Sequence, residues 1–73
     1  MYRIYRHERG SPRRAVTFND FHEAQTALDN LLEEHRVARR VVSVREVLGR
    51  TQWDAYDEDG LVCRFWLEPG PQE

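Results

Sequence analysis

An α+β domain, with one helix packed on one face of an antiparallel sheet of four to five strands in the order ββαβββ, is the fold class this sequence predicts. Three observations carry it. Short runs of alternating apolar and polar residues lie at both ends of the chain, which is the period of a half-buried strand. One stretch between them repeats its apolar residues every three or four positions, the period of an amphipathic helix. With 73 residues, the chain supports one helix layer on one sheet and no second domain.

Residues 2–7 place Tyr2 and Ile4 on one side and Arg3, Tyr5 and His7 on the other. Arg9-Gly10-Ser11-Pro12 interrupts this strand, and the chain returns over Arg14 to Phe18 with Val16 and Phe18 inward. Asp20 followed by Glu23 suits a helix N-terminus, because the Asp side chain accepts from free backbone N–H groups. The helix is expected from about Phe21 to Arg36, with Phe21, Ala24, Leu28, Leu31, Leu32 and His35 on its apolar stripe and Glu23, Asp29, Asn30 and Glu33 facing water. His35, near the helix end, is well placed for the dipole in its charged form.

Residues 39–48 fit either a helical stripe through Val37, Val41, Val44 and Leu48 or a strand. The strand is favoured, because Val41, Val42, Val44 and Val47 are branched at Cβ and lose rotamer freedom in a helix. Gly49-Arg50 then forms a turn. Thr51 to Tyr56 alternates with Trp53 and Ala55 inward and Gln52, Asp54 and Tyr56 outward. Asp57-Glu58-Asp59-Gly60 reads as a hairpin turn. The last strand, Leu61 to Leu67, directs Leu61, Cys63, Phe65 and Leu67 inward and Val62, Arg64 and Trp66 outward. The domain is accordingly drawn over residues 1–68, with Pro69-Gly70-Pro71 ending the strand and 69–73 as a frayed tail.

Net charge is −2, but it is laid out in blocks. Residues 1–18 carry five Arg and one Glu, residues 19–35 five acids, residues 36–50 five Arg and one Glu, and residues 51–73 six acids and Arg64. Alternating blocks favour charges that meet each other, within the fold or between copies, over a uniform polyanion-binding coat. Cys63 is the single cysteine, so no intrachain disulfide forms and a reducing compartment is expected. The N-terminus lacks a signal-like apolar run and no segment approaches the length of a membrane span, which points to a cytoplasmic protein without a membrane partner.

Catalytic and metal chemistry find little support. His7, His22 and His35 lie on different elements without ligand spacing. Asp54, Asp57, Glu58 and Asp59 lack the alternating ligand series and distal Glu of a calcium loop. Cys63 alternates with Leu61 and Phe65, as a buried inert thiol would. No catalytic residue, cofactor or small-molecule substrate is therefore assigned, and a non-enzymatic role is expected.

Strand alternation instead puts Tyr5, Tyr56 and Trp66 on the face away from the helix, flanked by Arg3 and Arg64. Tyr, Trp and Arg are enriched at the centres of protein interfaces. A sheet with one helix leaves its other face bare, so this face is expected to bind a protein partner or a second copy, as a homodimer or an accessory or inhibitory subunit. A register displaced by one residue would place Trp66 in the core instead. The alternative function is nucleic-acid binding through Arg6, Arg9, Arg13 and Arg14 of the N-terminal hairpin, with the arginines of residues 36–50.

Overall fold

A computed structural model describes residues 1–69. The elements follow in the order β1 (Tyr2–Glu8), β2 (Arg14–Phe18), α1 (Phe21–Val37), β3 (Val41–Val47), β4 (Arg50–Asp57) and β5 (Gly60–Pro69). The five strands make one antiparallel sheet in the order β2-β1-β5-β4-β3. A hairpin and a three-strand meander are thus joined along β1 and β5. The predicted class and element order hold, and residues 41–47 resolve to a strand as their branched side chains favour.

Because β2 and β3 are the two edges, α1 must carry the chain across the whole sheet. Its 17 residues rise about 25 Å, enough to cross five strands spaced about 4.8 Å apart. Asp20 caps the helix by accepting from the Glu23 N–H at 2.8 Å. At the other end Arg39 takes a positive φ of 58°, and the N–H groups of Arg39 and Arg40 return to the carbonyls of Arg36 and His35. This is a Schellman closure with arginine in the place glycine usually holds.

The helix presses Leu28 onto Ile4, Ala55, Cys63 and Phe65, with Phe18, Leu31, Leu32, Val42, Trp53 and Leu67 around them. Trp53 lies inward as expected and stacks on Phe65 at 5.8 Å. Its flanks are thinner than the sequence suggests. Phe21 and Val16 are more than half exposed, since one helix cannot cover five strands, although Phe21 meets Tyr2 edge-on at 5.4 Å. His35 is buried against Phe65, ring centroids 5.6 Å apart, and its Nδ1 lies 3.0 Å from an Arg40 Nη1. Guanidinium can only donate, so this nitrogen accepts. Burial and the neighbouring Arg40 charge hold the His35 pKa below its ordinary value. The charged helix-end histidine expected from the sequence is therefore corrected to a neutral core one.

Three boundaries also change. The turn between β3 and β4 is Leu48-Gly49, both at positive φ, and Arg50 already belongs to β4. Pro69 continues β5 opposite Tyr2, so the strand runs beyond the expected domain limit; the rest of the tail, 70–73, lies outside the described residues. Between β4 and β5 the register shifts, with Ala55 opposite Cys63 but Tyr56 opposite Leu61. Val62 is the extra residue of this bulge. Leu61 is consequently turned to the face of Tyr56 and exposed, while Val62 packs against the core, the reverse of simple alternation.

Candidate interaction surface

Residues paired directly across an antiparallel sheet share a face, so the register draws the surface opposite the helix row by row. One row runs Arg45, Gln52, Trp66, Tyr5, Ala15; the next runs Ser43, Asp54, Arg64; in a third, the paired Val47 and Arg50 are linked by the Arg50–Glu68 ion pair to Glu68, Arg3 and Thr17. Trp66 is on this outer face, so the displaced-register alternative fails. As expected, no second layer covers this face, yet its central side chains are not open to solvent. Trp66 is only 6% exposed, and Gln52 and Asp54 are buried too.

What covers them is the face's own side chains. Tyr5 stacks on Trp66 with centroids 5.4 Å apart and planes inclined by 15°. The Arg50 guanidinium lies 4.2 Å from the centroid of the Trp66 ring, and that of Arg13 lies 5.8 Å from the centroid of the Tyr5 ring. The result is a four-part stack, Arg13, Tyr5, Trp66, Arg50, running across the strands and held by cation–π attraction at both ends. Glu68 ties one end down. It accepts from the Trp66 indole N–H at 3.1 Å and pairs with Arg50.

Beside the stack, Asp54 is fully buried and gathers the neighbouring row. Arg64 donates to its Oδ1 at 2.9 Å, Arg45 reaches its Oδ2 at 3.0 Å, Gln52 donates at 3.2 Å and the Tyr56 hydroxyl at 3.5 Å. Burial alone would raise the Asp54 pKa, but the Arg64 hydrogen bond, the charges of Arg64 and Arg45 and the Gln52 amide outweigh it and hold it below the usual range. Two arginines and a tyrosine are thereby fixed in place.

Every residue assigned to the interaction surface, Arg3, Tyr5, Tyr56, Arg64 and Trp66, thus lies on one face. The sequence reading missed Arg45, Arg50, Gln52, Asp54 and Glu68, which lock it. Alternation marked Gln52 and Asp54 as outward; the signal lacking was the register that sets Asp54 opposite Arg64.

The arginine hairpin is not one patch. Arg13 joins the outer face, while Arg6 and Arg14 turn to the helix side, lining an open cleft of about 370 Å³ with Val16, Phe18 and Glu34. Arg6 pairs with Glu8 at 3.0 Å. Arg9 reaches across to the β4–β5 turn, donating to Asp57 at 2.8 Å and to the carbonyls of Gly60 and Leu61.

The charge blocks sort by layer. The outer face bears Arg3, Arg13, Arg45, Arg50 and Arg64 against Asp54 and Glu68, both already engaged with arginine. The helix and its cap bear Asp20, Glu23, Asp29, Glu33 and Glu34 against Arg36. A chain of net charge −2 therefore presents one basic, aromatic face.

Elsewhere, burial pushes the Cys63 thiol up to about 11. Among the described residues no group of three or more His, Cys, Asp or Glu could hold a metal ion, and no helix is long and apolar enough to cross a membrane. No protein-family description, curated protein sequence or solved structure matches this chain.

Proposed function

We propose that this chain is a non-enzymatic protein-interaction module whose outer sheet face docks an acidic surface of a partner protein. The observation that carries this reading is the Arg13, Tyr5, Trp66, Arg50 stack beside the arginines held by Asp54. Side chains already fixed lose little freedom on binding, so such a face is preorganised. Its composition is that of interface hot spots, and its surplus of arginine favours carboxylates on the partner, which Arg recognises through paired N–H groups.

Nucleic acid is the second reading, and the same arginines favour it. Against it, the Trp66 ring is already engaged by Tyr5 and Arg50 and only 6% exposed, so the largest ring of the face is not offered to a base as in single-strand binders. The four hairpin arginines first considered are also dispersed over two faces and a turn contact.

Capture of binding material from cells on immobilised protein, with and without nuclease, separates the two. Replacing Arg3 and Arg13 together by Glu is expected to remove protein capture, with nuclease having no effect. Capture that nuclease abolishes would replace this reading with the nucleic-acid one.

A further inference from the structure

Among the described residues, four of the eight exposed large apolar side chains cluster along the chain around β3: Val41 and Val44 within it, Leu48 just after it, and Val37 at the end of the helix before it. β3 is also a sheet edge, seven residues long, without proline or bulge, and its outer row of backbone N–H and C=O groups has no strand beside it. A long apolar edge of this kind is a template for another strand. The opposite edge differs. β2 has only five residues and begins just after Pro12, features that discourage pairing.

We propose that two copies of this chain pair their β3 strands antiparallel about a two-fold axis at Val44, joining two five-stranded sheets into one. The self-complementary register argues for a second copy over an unrelated strand. With the axis at Val44, all seven residues pair: Val41 lies opposite Val47 of the other copy, Val42 opposite Glu46, Ser43 opposite Arg45, and Val44 opposite itself. No like charges face each other directly. Moving the axis to Arg45 would set two arginines opposite, which is unfavourable, and moving it to Ser43 would leave Val47 and Glu46 unpaired.

Paired residues share a face, so both helices fall on one side and both outer faces on the other. Val44, 60% exposed, is covered by its own counterpart. Arg45 stays bound to Asp54 at 3.0 Å and comes opposite the small Ser43. The contact is an edge, small beside a standard interface, so the dimer is weak and concentration-dependent. It stands independently of the outer-face reading, and its consequence is to set two such faces side by side, so that one partner could be held twice.

Sedimentation equilibrium of the full chain over a wide concentration range tests this. The expected result is a shift from 8.7 kDa toward twice that mass. Val44→Lys should abolish the shift with an unchanged circular dichroism spectrum. The Arg3→Glu, Arg13→Glu double variant should dimerise normally. Should Val44→Lys unfold, Val44→Cys decides: mild oxidation should yield a covalent dimer, whereas Val16→Cys on β2 should not, and buried Cys63 should not compete. A chain that stays at monomer mass, a dimer untouched by Val44→Lys, cross-linking through position 16 in place of 44, or a dimer lost only in the outer-face variant would each overturn the proposal.

Discussion

Asp54 has no solvent exposure on a sheet face that carries no second layer, because Arg45, Arg64, Gln52 and Tyr56 close over it. Replacing it with Asn leaves two guanidinium groups without their carboxylate and is expected to cost about 2 to 3 kcal/mol, read as a lower urea midpoint. Its folded pKa lies below the unfolded value, so its contribution is full above the ordinary carboxylate range, begins to fall as pH drops through about 4, and is lost as pH falls on through the lower folded pKa. The Asn variant should lack that part of the acid dependence. His35 acts at higher pH. Folding lowers its pKa by burial and by Arg40, so the unfolded chain takes up the proton first, and stability should begin to fall as pH drops through its model-peptide value of about 6.5. His35→Phe keeps the stack on Phe65 and should flatten stability between pH 6.5 and the carboxylate range; a slope there identical to that of the parent chain would contradict the neutral assignment. Neither role was visible in sequence. His35 sat correctly on the apolar stripe, but Arg40 reaches its ring only because the Schellman turn folds the chain back. Cys63 behaved as alternation implied, and a thiol reagent should label it promptly only in denaturant.

At the level of elements, the helix, its cap and most strands were legible because their periods are strong, whereas β3 was read from its branched side chains alone. Leu28, buried at the centre of the core, should lose about 2 to 5 kcal/mol on change to Ala, whereas Glu33→Ala on the solvent side should be nearly silent. Equal urea midpoints would refute the stripe. The turns were less legible. Leu48 is 93% exposed at φ 52°, in the left-handed region before Gly49, a position that Asn fills with less strain. Leu48→Asn should therefore raise stability by about 1 kcal/mol. The bulge at Val62 was hidden although a conflict in the sequence marks it. A regular ladder from the Glu58-Asp59 turn would place Trp53 opposite Arg64, two residues that alternation assigns to opposite faces. One extra residue restores Trp53 to Phe65 and Asp54 to Arg64.

For the whole molecule, sorting of charge between layers is the feature that the linear blocks concealed. The blocks were expected to meet, and they do: Arg9 with Asp57, Arg45 with Asp54, Arg50 with Glu68. On the outer face Arg3 and Arg13 form no ion pair among the described residues, while the helix carries more carboxylate than arginine along its own surface. Trp66 also changes meaning at this scale. It faces outward yet is almost fully covered, so Trp66→Ala should both weaken binding and cost about 3 kcal/mol, and it cannot by itself separate interface from core. Neighbouring residues of β2 do so more cleanly, because Thr17 belongs to the outer face and Val16 to the helix side, and both are exposed. A photocrosslinking side chain placed at position 17, and in a second variant at position 16, should be irradiated in living cells and the adducts identified by mass. The expected result is a discrete protein adduct from position 17 and none from position 16; adducts to protein from position 16 alone, or to nucleic acid from position 17, would contradict a protein-binding outer face.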